Sequence, residues 1–157
     1  MPIRTVLRIF HVIAGIAAFV TITRFLGTTI WTELVGSTED VAAVKLWIVG
    51  RLPFLILSFI MVGATGFILS GRNPKGLAAK KFRRMKIIAP NGLLVLVPAA
   101  LFLSWKAQHA QFDAAFYTVQ AIEIVVGAIN FTLLGLSMRD GLTMKGRLRQ
   151  LKAVLSR

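Results

Sequence analysis

The hydrophobic and polar positions of this chain form four long apolar runs that are separated by short charged stretches. The apolar runs cover residues 5–31, 45–70, 87–105 and 114–137. Each run is close to or longer than the roughly 20 residues that a helix needs to cross the hydrocarbon core of a bilayer. We therefore predict an all-α integral membrane protein, a four-helix bundle whose successive helices run up, down, up and down.

The fourth apolar run carries polar residues at helical spacing. Gln120, Glu123, Gly127, Asn130 and Ser137 fall on one face of the helix predicted for this run, and its other faces are apolar. A carboxylate at the centre of a bilayer costs roughly 2.5–3.5 kcal/mol on insertion scales. We therefore expect Glu123 to face the interior of the bundle and to have a partner there.

The charged stretches indicate how the bundle is oriented. Lys and Arg are concentrated at the N-terminus, in residues 71–86 and in residues 138–157, whereas residues 33–45 hold three acidic residues and one lysine. Because cytoplasmic segments of membrane proteins carry an excess of Lys and Arg, this distribution predicts that both termini are cytoplasmic. Aromatic residues, which favour membrane interfaces, occur at the outer ends of the four runs: Trp31, Trp47, Trp105 and Tyr117.

The composition is that of a single membrane domain. The chain has 157 residues, 56% of them hydrophobic, no cysteine and a formal net charge of +13. The absence of cysteine excludes disulfides, thiolate metal sites and thiol nucleophiles. Because the basic residues flank the apolar runs, we expect them to contact the bilayer and its anionic lipid headgroups, and not nucleic acid. These features predict an integral protein of a bacterial inner membrane.

The basic segment 138–157 has two interpretations. Its apolar residues recur at helical spacing with Lys and Arg between them, which is typical of an amphipathic helix lying on the cytoplasmic surface of a membrane. The alternative is a frayed basic tail that only fixes the topology. The apolar residues in question are Met144, Leu148, Leu151 and Leu155.

Three charged residues of different helices are predicted to lie at one depth. At about 1.5 Å per residue, Arg24, Arg51 and Glu123 lie about 10, 6 and 9 Å below the aromatic residues. In one interpretation an arginine pairs with Glu123 and the cluster only holds the helices together. In the other, the second guanidinium has no carboxylate and binds an anionic or oxygen-rich ligand, which its planar donors suit. Gln120, one turn before Glu123, belongs to the same predicted pocket.

The leading functional hypothesis is therefore a small membrane protein that binds a membrane-soluble or anionic amphiphile, such as a lipid, a quinone or a fatty acid, in a buried outer-leaflet pocket. It would act alone, as a homo-oligomer, or as an accessory subunit of a larger membrane complex. A second hypothesis is a haem- or quinone-binding redox subunit of a respiratory enzyme. A third is a small oligomeric transporter in which Glu123 exchanges a proton. No motif indicates a set of catalytic residues.

Asn91 and Asn130 are expected in a deeper layer, about 20 Å below the aromatic residues. We predict that their side chains hydrogen-bond to each other and thereby hold two helices together. In the alternative interpretation Asn91, which follows Pro90, caps the start of the third helix.

His11 has three interpretations. Gly15, one turn later, leaves room for a flat macrocycle, so His11 would be the single axial ligand of a haem b. It would otherwise contact a phosphate or lipid headgroup together with Arg4 and Arg8, or be an interfacial histidine without a ligand. His109 is predicted about a bilayer away, so one haem cannot take both histidines. No His, Asp or Glu residues have the spacing of metal ligands, and we predict no metal site.

Overall fold

The structure is a computed structural model that describes the backbone of residues 2–71 and 75–155, and the side chains of those residues through Thr143. Over those ranges its regular structure is entirely helical. The four long helices, which we number in chain order, are Ile3–Val35, Thr38–Ser70, Gly76–Gln108 and Ala114–Leu155. Each is long and apolar enough to cross a membrane. The predicted all-α class with four apolar helices is thereby confirmed.

Neighbouring helices in the chain run antiparallel, as short connections require. The His11 ring near the start of the first helix lies beside Gly66 near the end of the second. The first helix also packs against the fourth, where Phe19 and Phe131 stack with 5.0 Å between ring centroids. The third helix contacts the second and the fourth. The first and third helices therefore occupy opposite corners of the bundle, and so do the second and fourth.

The connection between the first two helices is shorter than the sequence predicts. The charged stretch between the first two apolar runs predicts a polar connection over residues 33–44, but the second helix already begins at Thr38. Ser37 caps it, because its hydroxyl oxygen accepts from the Asp40 N–H at 3.2 Å while the Asp40 carboxylate accepts from the Ser37 N–H at 2.9 Å. Such a reciprocal pair satisfies backbone donors that a helix start otherwise leaves free. The polar residues of this stretch therefore start a helix.

The third helix extends beyond its predicted span. Part of the predicted basic loop 71–86 is helical, because the helix begins at Gly76. It changes to π-helical geometry over Asn91–Leu96, between Pro90 and Pro98. A proline has no N–H to donate to the carbonyl one turn earlier, and its ring crowds that carbonyl, so the regular ladder of hydrogen bonds is interrupted here.

The fourth helix continues without a break to Leu155. The predicted span 114–137 and most of the predicted tail 138–157 therefore form one helix. The apolar side chains that would make the tail amphipathic lie outside the described residues: Met144, Leu148, Leu151 and Leu155. Contact of this tail with a membrane surface remains a prediction.

Large apolar side chains cover the outside of the bundle on every helix. Ile13, Leu57, Leu94 and Val125 are examples, one from each helix, and all are exposed. Water would solvate such a surface poorly, whereas hydrocarbon would solvate it well. Inside the bundle, one cluster of buried apolar side chains consists of Ala18, Ile22, Leu55, Ile88 and Leu134.

Candidate functional site

Glu123 points into the bundle and its partner is Lys45. The Lys45 ammonium donates to Glu123 Oε2 at 2.6 Å, and the Lys45 side chain is only 1% exposed. The Gln120 amide nitrogen donates to the same carboxylate oxygen at 3.1 Å. Glu123 therefore pairs with neither of the two arginines expected from the sequence. A similar depth along two helices does not bring two side chains together unless both also point toward each other.

Glu33 completes a cluster of four polar side chains at this end of the bundle. Its carboxylate is more than 4.0 Å from the Lys45 ammonium, but the charges of Lys45 and Glu123 still act on it. One Glu33 carboxylate oxygen, Oε1, and the Gln120 carbonyl oxygen, Oε1, are buried without a hydrogen-bond partner among the described residues. We call this group the interior charge cluster: Glu33, Lys45, Gln120 and Glu123.

Neither Lys45 nor Glu33 was predicted as a site residue, because Lys45 is the first residue of the predicted span 45–70 and Glu33 lies in the charged stretch before it. A signal for Lys45 was nevertheless present. It continues the spacing of the buried apolar residues of the second helix, three or four positions from Val41 and Ile48. A helix start at the Ser37 cap places Lys45 two turns inside the second helix and on its buried face, instead of at its first position.

Arg24 and Arg51 lie elsewhere, in a groove on the outer surface between the first and second helices. Both are exposed. The guanidinium carbons of Arg24 and Arg51 lie 5.3 and 4.2 Å from the centre of the Trp47 ring. The groove has a volume of about 350 Å³, and its other lining residues are Ala17, Val20, Thr21 and Phe54. We call it the arginine groove.

The two positive charges of the arginine groove have no negative partner in the described part of the chain. Among the described side chains, neither Arg24 nor Arg51 forms an ion pair within 4.0 Å. Their interaction with the face of the Trp47 ring stabilises each cation but leaves the charge in place. Arg51 makes one additional contact, a long hydrogen bond of 3.5 Å from Nη1 to the Trp47 carbonyl. The planar donors of both guanidinium groups therefore remain largely available.

A small cavity lies between the helices, with Glu123 and Asn130 among its lining residues. Its volume is about 80 Å³, and its walls are otherwise mostly apolar. At that volume the cavity suits a few water molecules. Neither Arg24 nor Arg51 is among its lining residues, so Glu123 does not share this cavity with the two arginines.

Asn130 bonds to the backbone of the third helix. Its amide nitrogen donates to the Ile88 carbonyl at 3.2 Å, close to where the π-helical segment starts. Its own carbonyl oxygen is buried without a partner in the described part of the chain. Asn91 is the first residue of the π-helical segment and is half-buried. The expected hydrogen bond between Asn91 and Asn130 is thus replaced by a bond to a carbonyl, and Asn91 lies within a helix instead of capping its start.

His11 is part of the contact between the first and second helices. Its Nδ1 lies 3.0 Å from the hydroxyl oxygen of Thr65. A Cβ atom added to Gly66 would lie 3.2 Å from the His11 ring, so the ring packs closely on the second helix. Arg4 and Arg8 are exposed nearby in sequence. Among the described residues no three His, Asp or Glu side chains are placed to hold a metal ion.

Two further ion pairs fix the ends of the third and fourth helices. Lys106 donates to Asp113 at 2.6 Å, and the other Asp113 carboxylate oxygen accepts from the Phe116 N–H at 3.0 Å. These contacts, first the Lys106 hydrogen bond and then that of Phe116, hold the pKa of Asp113 below its usual range. At the opposite end, Arg84 donates to Asp140 at 2.7 Å.

Comparisons of this chain with protein-family models, with curated proteins and with solved structures find no match.

Proposed function

We propose that this protein is a small integral membrane protein that binds an anionic amphiphile in the arginine groove. The observation that carries the proposal is the convergence of two guanidinium groups on the ring of Trp47, with no ion pair to a carboxylate among the described side chains. The headgroup would lie between Arg24 and Arg51. The site thus faces the lipid from the side of the bundle, and Glu123 and Gln120 are not part of it.

The position of the groove suits a ligand that enters from the bilayer. Arg51 lies one helical turn farther into the second helix than Trp47, on the side away from the Gly36–Ser37 connection. With both termini cytoplasmic, the groove lies in the outer leaflet, just below the level of lipid headgroups. A guanidinium at that depth is stabilised when it reaches a headgroup, directly or by extending its side chain toward the interface.

The chemistry of the groove favours a negatively charged headgroup with an apolar chain. Guanidinium groups bind carboxylate and phosphate through paired hydrogen bonds, whereas a neutral quinone would leave the excess charge uncompensated. The volume of about 350 Å³ suits a headgroup or the first part of an acyl chain. The remaining chain would lie on the exposed apolar surface beside Val20 and Phe54. Phospholipids and free fatty acids both have this chemistry.

Quenching of Trp47 fluorescence by brominated lipids tests the proposal. In a variant with Trp31→Phe and Trp105→Phe, Trp47 is the remaining tryptophan, since the chain has three. The protein is placed in zwitterionic phospholipid bilayers, and a minor fraction of brominated lipid is added. We expect a brominated anionic phospholipid or a brominated fatty acid to quench Trp47 more strongly than a brominated zwitterionic phospholipid. Comparing the two anionic probes at equal charge distinguishes phospholipid from fatty acid.

Arginine variants provide both the test of the groove and its control. Arg24→Gln and Arg51→Gln should each reduce the preference for the anionic probes, while Arg8→Gln, which removes an exposed arginine near the other end of the first helix, should leave it unchanged. Arg51→Lys should retain only part of the preference for the anionic probes, because an ammonium lacks the planar pair of donors. Equal quenching by anionic and zwitterionic probes in the parent protein would contradict the proposal.

A further inference from the structure

The interior charge cluster contains more acid than base. It holds the carboxylates of Glu33 and Glu123 and one ammonium, that of Lys45. With all three ionised, its net charge is −1. An uncompensated charge in a low-dielectric interior is unfavourable, so the cluster is stabilised by binding one positive charge.

The cluster has more hydrogen-bond acceptors than donors among the described residues. Gln120 is 3% exposed, and its carbonyl oxygen has no partner among the described residues. The amide nitrogen of Gln120 already donates to Glu123, which fixes the orientation of the amide and keeps its carbonyl beside the cluster. One buried oxygen of Glu33 likewise has no donor within the ranges that the structure describes. A proton on a carboxylate would turn one acceptor into a donor and would neutralise the excess charge in the same step.

We propose that Glu33 and Glu123 together bind one exchangeable proton beside Lys45, with the Gln120 carbonyl accepting a hydrogen bond from the protonated carboxyl, directly or through a water. The proton comes from water at the end of the bundle where Gly36 and Ser37 join the first two helices. Glu33 lies in the last turn of the first helix and so provides the route of exchange. Uptake converts hydronium and a carboxylate into water and a carboxylic acid.

The surrounding charges favour a proton over a metal ion. The Lys45 ammonium already contacts Glu123 and would repel a cation placed between the carboxylates. The other charged groups near this end of the bundle have partners or are exposed. Asp40 bonds to Ser37, Lys106 bonds to Asp113, and Glu39 is exposed. This inference does not depend on the arginine groove.

Infrared spectroscopy of the purified protein in lipid bilayers tests whether the two glutamates bind a proton. The protein is produced with glutamate that carries carbon-13 at its side-chain carboxyl. The label marks only Glu33, Glu39 and Glu123, because the chain has no other glutamate. We expect a C=O stretching band of a protonated carboxylic acid at neutral pH that disappears as the pH is raised. Glu39→Gln, which changes the exposed glutamate, should leave the band unchanged.

The cluster variants should change the band in opposite directions. Glu33→Gln and Glu123→Gln each remove the excess negative charge, so the band should be lost at neutral pH. Lys45→Met removes the positive charge, so the band should persist to higher pH. The absence of a labelled carboxylic acid band in the wild-type protein would overturn the proposal. A band that neither glutamine variant changes would also overturn it. So would a band that sodium chloride abolishes and choline chloride does not, because the cluster would then bind a metal cation instead of a proton. Melting temperatures establish that each variant is folded.

Discussion

Lys45 and Glu123 join the second and fourth helices through the interior of the bundle, with 2.6 Å between the ammonium nitrogen and a carboxylate oxygen. Both side chains are largely removed from solvent, at 1% and 13% exposure. These helices occupy opposite corners, and the four-carbon stem of Lys45 allows the contact across the centre. A charged pair in this position fixes how the helices are rotated relative to each other, because any other rotation would leave a charge buried alone.

Removing Lys45 should therefore destabilise the bundle strongly. Lys45→Met keeps most of the length of the side chain but leaves Glu123 without its cation, and breaking a buried pair in this way costs roughly 3–5 kcal/mol. Glu123→Gln should cost less than Glu123→Leu, because the glutamine carbonyl still accepts from Lys45. Unfolding in mixed micelles, followed by circular dichroism, measures these differences.

The exposed Lys75 provides the matched control for this series. Lys75→Met should unfold like the wild-type protein. Lys45→Met combined with Glu123→Leu should recover part of the stability lost in Lys45→Met, because the lone buried charge is gone. If Lys45→Met were as stable as Lys75→Met, the interior ion pair would have no structural role.

The contact between His11 and Gly66 should make that glycine intolerant of larger residues. A Cβ atom at Gly66 would already lie 3.2 Å from the His11 ring, so Gly66→Leu should separate the first two helices and lower the melting temperature. Gly27→Leu serves as the control, since nothing lies within 4 Å of a Cβ atom there. Thermal unfolding of both variants should show a lower melting temperature than wild type for Gly66→Leu only. Equal melting temperatures would show that the helices do not pack closely at this point.

The contacts of Asp113 predict a pH-dependent contribution to stability. The Lys106 hydrogen bond and that of the Phe116 N–H lower the pKa of Asp113 in the folded state. A carboxyl with a lowered pKa stabilises the fold above its usual pKa of about 3.9 and loses that contribution as the pH falls through its folded-state value. Wild type should therefore melt at a higher temperature than Asp113→Asn at neutral pH, and the difference should vanish in acid. A difference that is independent of pH would contradict this explanation.

Cysteine labelling tests the predicted orientation in the membrane. The chain has no cysteine, so an introduced one is the only target of a thiol reagent. Thr38→Cys and Lys75→Cys are suitable because both positions are exposed, whereas Ser37 caps a helix and Gly76 has a φ of 59°. A membrane-impermeant maleimide added to intact cells should label the cysteine at position 38 and not that at position 75. Permeabilised cells should allow both to react. The reverse pattern would place the arginine groove in the inner leaflet.

The positions of the helices could be predicted from the sequence because they depend mainly on local properties. A long, predominantly apolar run forms a helix in a membrane, since every backbone polar group must find its partner within the segment. The residues at which the helices begin were less predictable. The capping residues Ser37 and Asp40 resemble a loop in composition, and the helical start at Gly76 lies in a strongly basic stretch.

The interior contacts, in contrast, were decided by the tertiary structure. The sequence by itself identified Glu123 as a buried carboxylate in need of a partner, and it identified Arg24 and Arg51 as cations at a similar depth. The packing of the helices turned both arginines outward beside Trp47 and brought Lys45 to Glu123. The physical reason is that periodicity gives the height of a residue along its own helix, whereas its partner depends on how the helices rotate about their axes. That rotation is set by the combined packing of all four helices, which no single segment of sequence contains.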